Sequence, residues 1–410
     1  MTCYKIGENS SDWCLEASKG TKESIDHMGR PCCIFHAPNN SKGVSVSEFN
    51  KIVTKYAFKL SENNEVIDFS GTVFPSDLDF SVLGDKISSI KLDACEFSGD
   101  VRIANMQIAG DFSCMSSKLL GRIYAHNIAF NGNVNFGETQ FIQEAFFSSC
   151  VFKKFASFPR CIFHNQVTFD LDTDFSKGAS FFEVRFKSSA YFMNVIFGDT
   201  MLFQYAYAET KAHFQNVNTA YLKFMNANVQ NFEFDDCKWP KKDNRYHIPA
   251  EDEESQQGKV ETFYRRMKQK YKEAHDDWEA SEWHVSEKEL MRKRLKYKDS
   301  FLLGTIVNLY YFFSGYGERP VRACAIWLTL LGLVGCLLFI SFFNDSGTIS
   351  SSDQIVTIVL SWLQHLVFVK DVAFSPSGAA IQVILLLLTR VLIPVQTALM
   401  VFSFRNKLKR

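Results

Sequence analysis

Phenylalanine recurs every five or six residues through the middle of the chain: Phe136, Phe141, Phe146, Phe152, Phe158, Phe163, Phe169, Phe175, Phe181, Phe186, Phe192, Phe197 and Phe203. A helix repeats its apolar positions every 3.6 residues and a flat strand every 2. A sustained spacing of five to six therefore requires a corner between successive rings. The arrangement that meets this requirement is a β-solenoid with Phe stacked along its interior.

The same step appears earlier in Phe69 to Phe74, Leu92 to Phe97 and Ile103 to Ile108, and it relaxes later to Phe214, Phe224 and Phe234, with intervening slots at Thr219 and Val229. Two residues before many of the rings stands a small or β-branched side chain: Cys150, Ala156, Cys161, Val167, Ala179, Val184, Ala190 and Val195. Both sets are expected to point inward. This pattern resembles the pentapeptide-repeat family, and the resemblance implies a mainly β fold, a right-handed quadrilateral β-helix with one large and one small inward residue per face. The departure is the frequent sixth residue, which implies bulged corners. With about 20 to 22 residues per coil and a strand spacing of roughly 4.8 Å, eight coils would make a rod on the order of 40 Å.

The solenoid is expected over 50–240, and its bare ends need caps. Residues 1–49 hold Cys3, Cys14, Cys32, Cys33, His27 and His36 but little apolar periodicity, so this segment cannot fold on a hydrophobic core alone. Three thiolates and an imidazole from Cys3, Cys14, Cys33 and His36, with Cys32 as the alternate to Cys33, can supply a tetrahedral zinc site whose binding energy replaces the missing core. The alternative is buried free thiols. The odd count of eleven Cys and the absence of an apolar leader point to reduced thiols in a cytoplasmic setting.

Between 241 and 300 the pattern turns helical. Val260, Phe263, Tyr264, Met267, Tyr271, Ala274 and Trp278 make one apolar stripe, and a second helix ends in a basic run, so a helical hairpin is expected. Residues 301–410 read as a membrane module: an interfacial helix over 301–313, a transmembrane helix over the uncharged stretch 323–343, a re-entrant or interfacial helix over 355–369, and a second span over 378–404. Basic residues flank both ends of this module, and the segment between carries Asp345, Asp353, Lys370 and Asp371. By the positive-inside rule the solenoid and the C-terminus both lie in the cytoplasm, and the chain is a multi-pass protein of the inner, cytoplasmic membrane.

Within that module Arg390 is a charge in the middle of an apolar span, costing at least ~2.5 kcal/mol on insertion. Pro394, which lacks an N–H, leaves the carbonyl of residue 390 without its helical partner. Gln364 and His365 are polar residues positioned to answer Arg390. A water-accessible path is one reading of this group, and a structural hydrogen bond is the other. Gly315-Tyr316-Gly317 is the tripeptide of potassium filters, yet it precedes the first span on the basic side, where no filter can stand.

Gly315-Tyr316-Gly317-Glu318-Arg319-Pro320, the Tyr264-Arg265-Arg266 helix and the basic tail from Phe404 to Arg410 are similar to segments of membrane-bound pentapeptide-repeat proteins. That resemblance implies an ion-channel-like or membrane-anchored protein. No nucleophile elbow, phosphate loop, dinucleotide fingerprint or HExxH occurs, so no enzyme is expected. The first reading of function is a membrane protein whose cytoplasmic solenoid binds or senses a protein partner, while the two-span module, as a homo-oligomer in the lipid bilayer, gates or perturbs the membrane. The alternative is a membrane-tethered scaffold without conduction. DNA mimicry ranks last: Gly71 to Pro240 carries only four more acidic than basic residues, far below the charge density of a duplex, and the sequence has no nucleic-acid signature.

Overall fold

The computed structural model describes residues 3–4, 13–21, 24–26, 28–295, 301–346, 356, 359–360, 384 and 387–408. The chain divides into two compact units, one of Met1–Lys242 with His247–Val260 and the other of Asp243–Tyr246 with Glu261–Arg410.

The first unit is a β-solenoid built from short parallel strands. One face is an eight-stranded sheet running from Val66–Asp68 to Leu222–Lys223, and the next is a seven-stranded sheet from Val73–Phe74 to Tyr207–Ala208. The remaining two faces merge into a twelve-stranded sheet, because Val101–Ile108 and Ile123–Phe130 run through the corner between them. Residues that pair across neighbouring coils lie 22 or 23 positions apart through most of the solenoid, as in Phe141↔Phe163 and Phe163↔Phe186, and 20 or 21 apart in its last coils, as in Phe214↔Phe234 and Met201↔Leu222. Rings in equivalent positions consequently stack face to face at the strand spacing: Phe158–Phe181 at 5.0 Å, Phe169–Phe192 at 5.0 Å and Phe152–Phe175 at 4.6 Å.

One rung of the ladder differs from the sequence reading. Phe147, not Phe146, is the inward ring: Phe147 is fully buried and stacks on Phe169 at 4.9 Å, whereas Phe146 lies half-exposed on the outer face against Tyr124. The physical reason is pleat: Ala145 occupies the small inward slot, so alternation sends 146 out and 147 in. With that correction the inward rings fall at 136, 141, 147, 152, 158, 163 and 169, an alternation of five- and six-residue corners.

Backbone geometry accounts for the alternation. At one corner Ser116, Glu138, Arg160, Glu183 and Tyr205 have positive φ, and at the diagonally related corner Asn105, Asn127, Ser149, Asn194 and Asn216 do. A left-handed residue turns the chain within five positions. Each such residue costs of order 1 kcal/mol outside Gly, but its N–H still donates to the next coil, as in Glu138 to the Pro159 carbonyl and Arg160 to that of Phe182. The inward volumes also trade places locally. Phe112 fills a slot aligned with Val134 and Ala156, while small Cys114 sits two residues later where other coils place a ring.

Helix α1 (Trp13–Ala17) and helix α2 (Val46–Glu62) belong to the N-terminal end of this unit. The solenoid therefore begins at Val66, later than the expected boundary of 50, because Phe49, Val53, Ala57 and Leu60 form a buried helical stripe. A capping box starts α2: the Ser45 hydroxyl accepts from the Glu48 N–H at 3.2 Å. Trp13, Phe35 and Tyr56 pack around Phe69, closing the open end of the ring stack.

The second unit is helical. Helix α3 (Gln257–Glu273, which starts in the first unit) and helix α4 (Asp277–Leu295) form the expected hairpin. Helix α5 (Phe301–Ser314), helix α6 (Pro320–Ser346) and helix α7 (Ile393–Leu408) follow. Among the described residues, one helix is long and apolar enough to cross a membrane, over Pro320–Ile340. The stretch 355–369 with Gln364 and His365, and the first part of 378–404, fall almost wholly outside the described residues.

Candidate metal centre and the apolar helices

Cys3, Cys14, Cys33 and His36 converge at the closed end of the solenoid, and their ligand atoms all lie within 4.8 Å of one another. All four are buried. Cys14 is presented by α1, and Cys33 and His36 by a single turn in which the His36 and Ala37 N–H groups both donate to the Cys33 carbonyl. His36 Nδ1 stands 3.3 Å from Cys3 Sγ and 3.2 Å from Cys33 Sγ. Three sulfurs and one nitrogen at this spacing can hold a metal ion, since a tetrahedral ion with bonds of roughly 2.0–2.3 Å separates its donors by a little over 3 Å.

The surroundings suit such an ion. His36 Nε2 lies 3.2 Å from the Ser70 carbonyl, so the imidazole has a fixed backbone acceptor behind it. Gly71 follows with φ +76°, and a Cβ there would stand 3.1 Å from the imidazole ring. The first corner of the solenoid is thus shaped around a cap ligand. Buried Lys42 donates to the carbonyls of Ile34 at 2.8 Å and Ala37 at 3.0 Å, tying the turn from outside the donor set. Burial pushes its ammonium down to about 7, against the pull of the Cys33 and Cys32 sulfurs. Within the quartet, hydrogen bonds from Cys14 and then Cys33 lower the Cys3 thiol, while Cys14 is raised by its bonds to Cys3 and Cys33.

Cys32, weighed as an alternate ligand, is outside the quartet. It sits in the strand Pro31–Cys32 paired with Ser24–Ile25, and burial raises its thiol to about 11. All eleven cysteines are unpaired thiols. The four inside the coils, Cys95, Cys114, Cys150 and Cys161, are deeply buried and raised by burial, which makes them packing groups.

In the second unit, Gly315-Tyr316-Gly317 forms the elbow between α5 and α6. All three residues have positive φ, at 57°, 64° and 76°. A Cβ on Gly317 would come within 2.9 Å of the Phe402 ring and closer still to the Tyr310 hydroxyl, so glycine is required there for contact as well as for conformation. Tyr316 is buried, and its hydroxyl donates to Glu289 at 2.9 Å. The tripeptide is a structural bend.

Arg390 lies on the exposed side of its helix and Pro394 is half-buried. Ahead of the proline the helix widens into a π-turn over Leu388–Leu392, with the Ile393 N–H donating to the Leu388 carbonyl. That wider turn absorbs the backbone disruption a proline causes. The residue sequence reasoning missed is Gln396. It is buried, and its amide Nε2 donates to the Phe313 carbonyl at 2.9 Å and the Ala323 carbonyl at 2.8 Å, joining α7 to the ends of α5 and α6. Trp327 Nε1 donates to Thr397 one residue further on, at 2.9 Å. A polar residue two positions after a proline in an apolar run was the available signal. No family model matches the chain, and no curated protein or solved structure matches it either.

Proposed function

We propose that the chain is a membrane-tethered interaction scaffold whose solenoid presents its outer faces to a protein partner and whose cap is held by zinc. The observation that carries the tether is the pairing of α6 with an α5 that leaves Leu302, Ile306, Leu309 and Phe312 exposed along one side. Such a stripe is costly in water and stable at a lipid interface. The opposite side of α5 packs Val307 and Tyr311, and its flank Tyr310, with Val285 and Tyr316. Zinc suits the cap because three thiolates and an imidazole are soft to borderline donors in a closed four-ligand set, which leaves no open position for catalysis. The basic segments flanking the apolar helices support a cytoplasmic solenoid under the positive-inside rule.

Carbonate extraction of membranes carrying the full chain tests the tether. Retention in the pellet and release only by detergent are expected; release by carbonate alone would sink the reading. Elemental analysis of the purified chain should give one zinc per chain, and another metal or none would remove zinc.

A second reading has its own observation. Arg390 on the exposed side of an apolar helix favours a further chain as its neighbour in lipid, hence a homo-oligomer that gates or perturbs the membrane. Native mass measurement and liposome ion flux separate the two. The scaffold gives no flux whatever its stoichiometry, whereas the gating reading requires an oligomer and a flux changed by Arg390→Leu.

A further inference from the structure

A cleft of about 520 Å³ opens in the second unit, lined by residues of α3, α4, α5, the α5–α6 elbow and α7. Its walls include Lys268 and Lys272 from α3, His284 and Lys288 from α4, and Arg405 from α7. Lys268 is engaged by Glu287, which Arg265 also meets. Lys272, Lys288 and Arg405 form no ion pair among the described residues, although three separate helices bring them to one cavity. Two carboxylates also line it. Asp277 is one, and Glu318 is the other, turned aside to accept from Ser281 at 2.6 Å. Burial raises the Glu318 carboxyl, against the pull of Ser281, Lys407 and Asn406.

Like-charged side chains gathered in a concave space repel one another unless an anion joins them, and of the three Lys288 is half-buried while Lys272 and Arg405 are exposed to an entering ligand. His284 registers this field: burial, then Lys268 and Lys288, hold its imidazole down at about 4. The cavity is of a size that takes a small polar ligand. Its place relative to α5 narrows the chemistry. Tyr310 lines the cleft, and at 3.6 residues per turn Leu303 and Ile306 project within roughly 40° of it along the same helix. Ile306 belongs to the stripe assigned to the lipid interface, and Leu303 beside it is likewise exposed.

We propose that this cleft is a recognition site for a multiply charged phosphate group carried on a lipid headgroup, with Lys272, Lys288 and Arg405 as the phosphate-binding cations. The phosphate chemistry stands on the cleft itself, and its attachment to a lipid rests on the membrane reading of α5 and α6.

The test uses the full chain in a neutral detergent and three probes: dioctanoyl phosphatidylinositol bisphosphate, dioctanoyl phosphatidylcholine and soluble inositol trisphosphate. Binding of the first and not the second is expected. Replacing Lys272, Lys288 and Arg405 with Gln should weaken it by about fivefold per cation removed, or roughly a hundredfold together. Single Lys272→Gln and Lys288→Gln variants, checked by melting and tryptophan fluorescence, keep the measurement valid should the triple variant misfold. The charge-matched control Lys153→Gln/Lys154→Gln/Lys187→Gln, all exposed on the solenoid, should bind as the parent does. Equal losses in cleft and control variants, or unchanged affinity in well-folded cleft variants, would overturn the site. Equal affinity for inositol trisphosphate and the lipid would support the phosphate site and assign its source to a soluble molecule. Carbonate extraction, measured separately, reports on the membrane reading alone.

Discussion

In the coils from Phe112 to Phe234 the inward positions are almost all rings or small apolar groups, and each is held by copies of itself above and below. The cap from Cys3 to Ala37 packs on the first coil, at Phe69 and Ser70, and follows other rules. Its centre is four polarisable donors and a buried lysine, each used once. The coils distribute their stability over many equivalent contacts, whereas the cap concentrates it in one. Loss of a single side chain should therefore be graded in the coils and all-or-none in the cap.

The largest expected effect breaks the cap. Cys33→Ser, or a strong chelator on the parent, should remove binding free energy on the order of 10 kcal/mol and unfold the cap. Hydrogen exchange should then lose protection over 13–62 while the coils from 112 to 215 keep theirs; a cap that stays protected without metal would end the comparison. The next effect probes the coils through two adjacent residues. Phe147→Ala should cost about 3–5 kcal/mol in denaturant unfolding, and Phe146→Ala about 1 kcal/mol or less, the contribution of one outer ring pair. Similar losses at both positions would place the inward register wrongly.

Gly71→Ala tests the joint between the two regions. The left-handed φ and the contact with His36 together should cost about 1–2 kcal/mol, and the variant should give up its metal to a competing chelator more readily than the parent. If metal retention is unchanged, the corner and the cap ligand are independent.

A further effect, seen only at low pH, lies in the helical unit and provides a contrast with both. His284 has a folded value near 4 against an ordinary 6.5, so the unfolded chain binds the extra proton between those values. Stability should thus be fully present above about pH 6.5 and fall as the pH drops toward 4, by up to 1.36 kcal/mol per unit. Lys268, Lys272 and Lys288 hold the shift in place and Glu287 opposes it. Thermal melts of the parent and of His284→Gln at pH 7 and pH 4.5 check this: the difference between the two proteins should close at the lower pH. A pH-independent difference would show that the imidazole does not titrate there.

Repetition explains what could be read from the chain. The ring ladder was legible because the same error would have to recur in every coil to mislead, and it failed only where two phenylalanines stand side by side at 146 and 147. Cys3, Cys14, Cys33 and His36 were legible by residue type, with Cys32 left as the alternate to Cys33; the pleat of the short strand Pro31–Cys32 separates the two. Helix α2 was written in Ser45-x-x-Glu48 and in the 3.6-residue stripe from Phe49 to Leu60, but it was masked by the β periodicity that follows. The cleft was not legible, because Lys272, Lys288 and Arg405 are over a hundred positions apart at the extremes and meet only through helix packing. Gln396 was hidden for a related reason: its partners are backbone carbonyls, which carry no residue signature.

The alternating corners restrict how this solenoid can change length. Deleting one residue from a five-residue corner, or inserting one along a strand, would rotate every later face by a step, whereas a single residue added within a left-handed corner can be looped out. A loss or gain of 22 residues would restore each face to its own stack, moving the end of the coil by one strand spacing of roughly 4.8 Å. The 23-residue coil from Phe158 to Phe181, where Leu171 and Asp172 are both left-handed, shows how one extra residue is absorbed: it is looped into a corner and the rings stay in line. Length variants of this protein should accordingly come in whole turns, with single-residue differences confined to those bends.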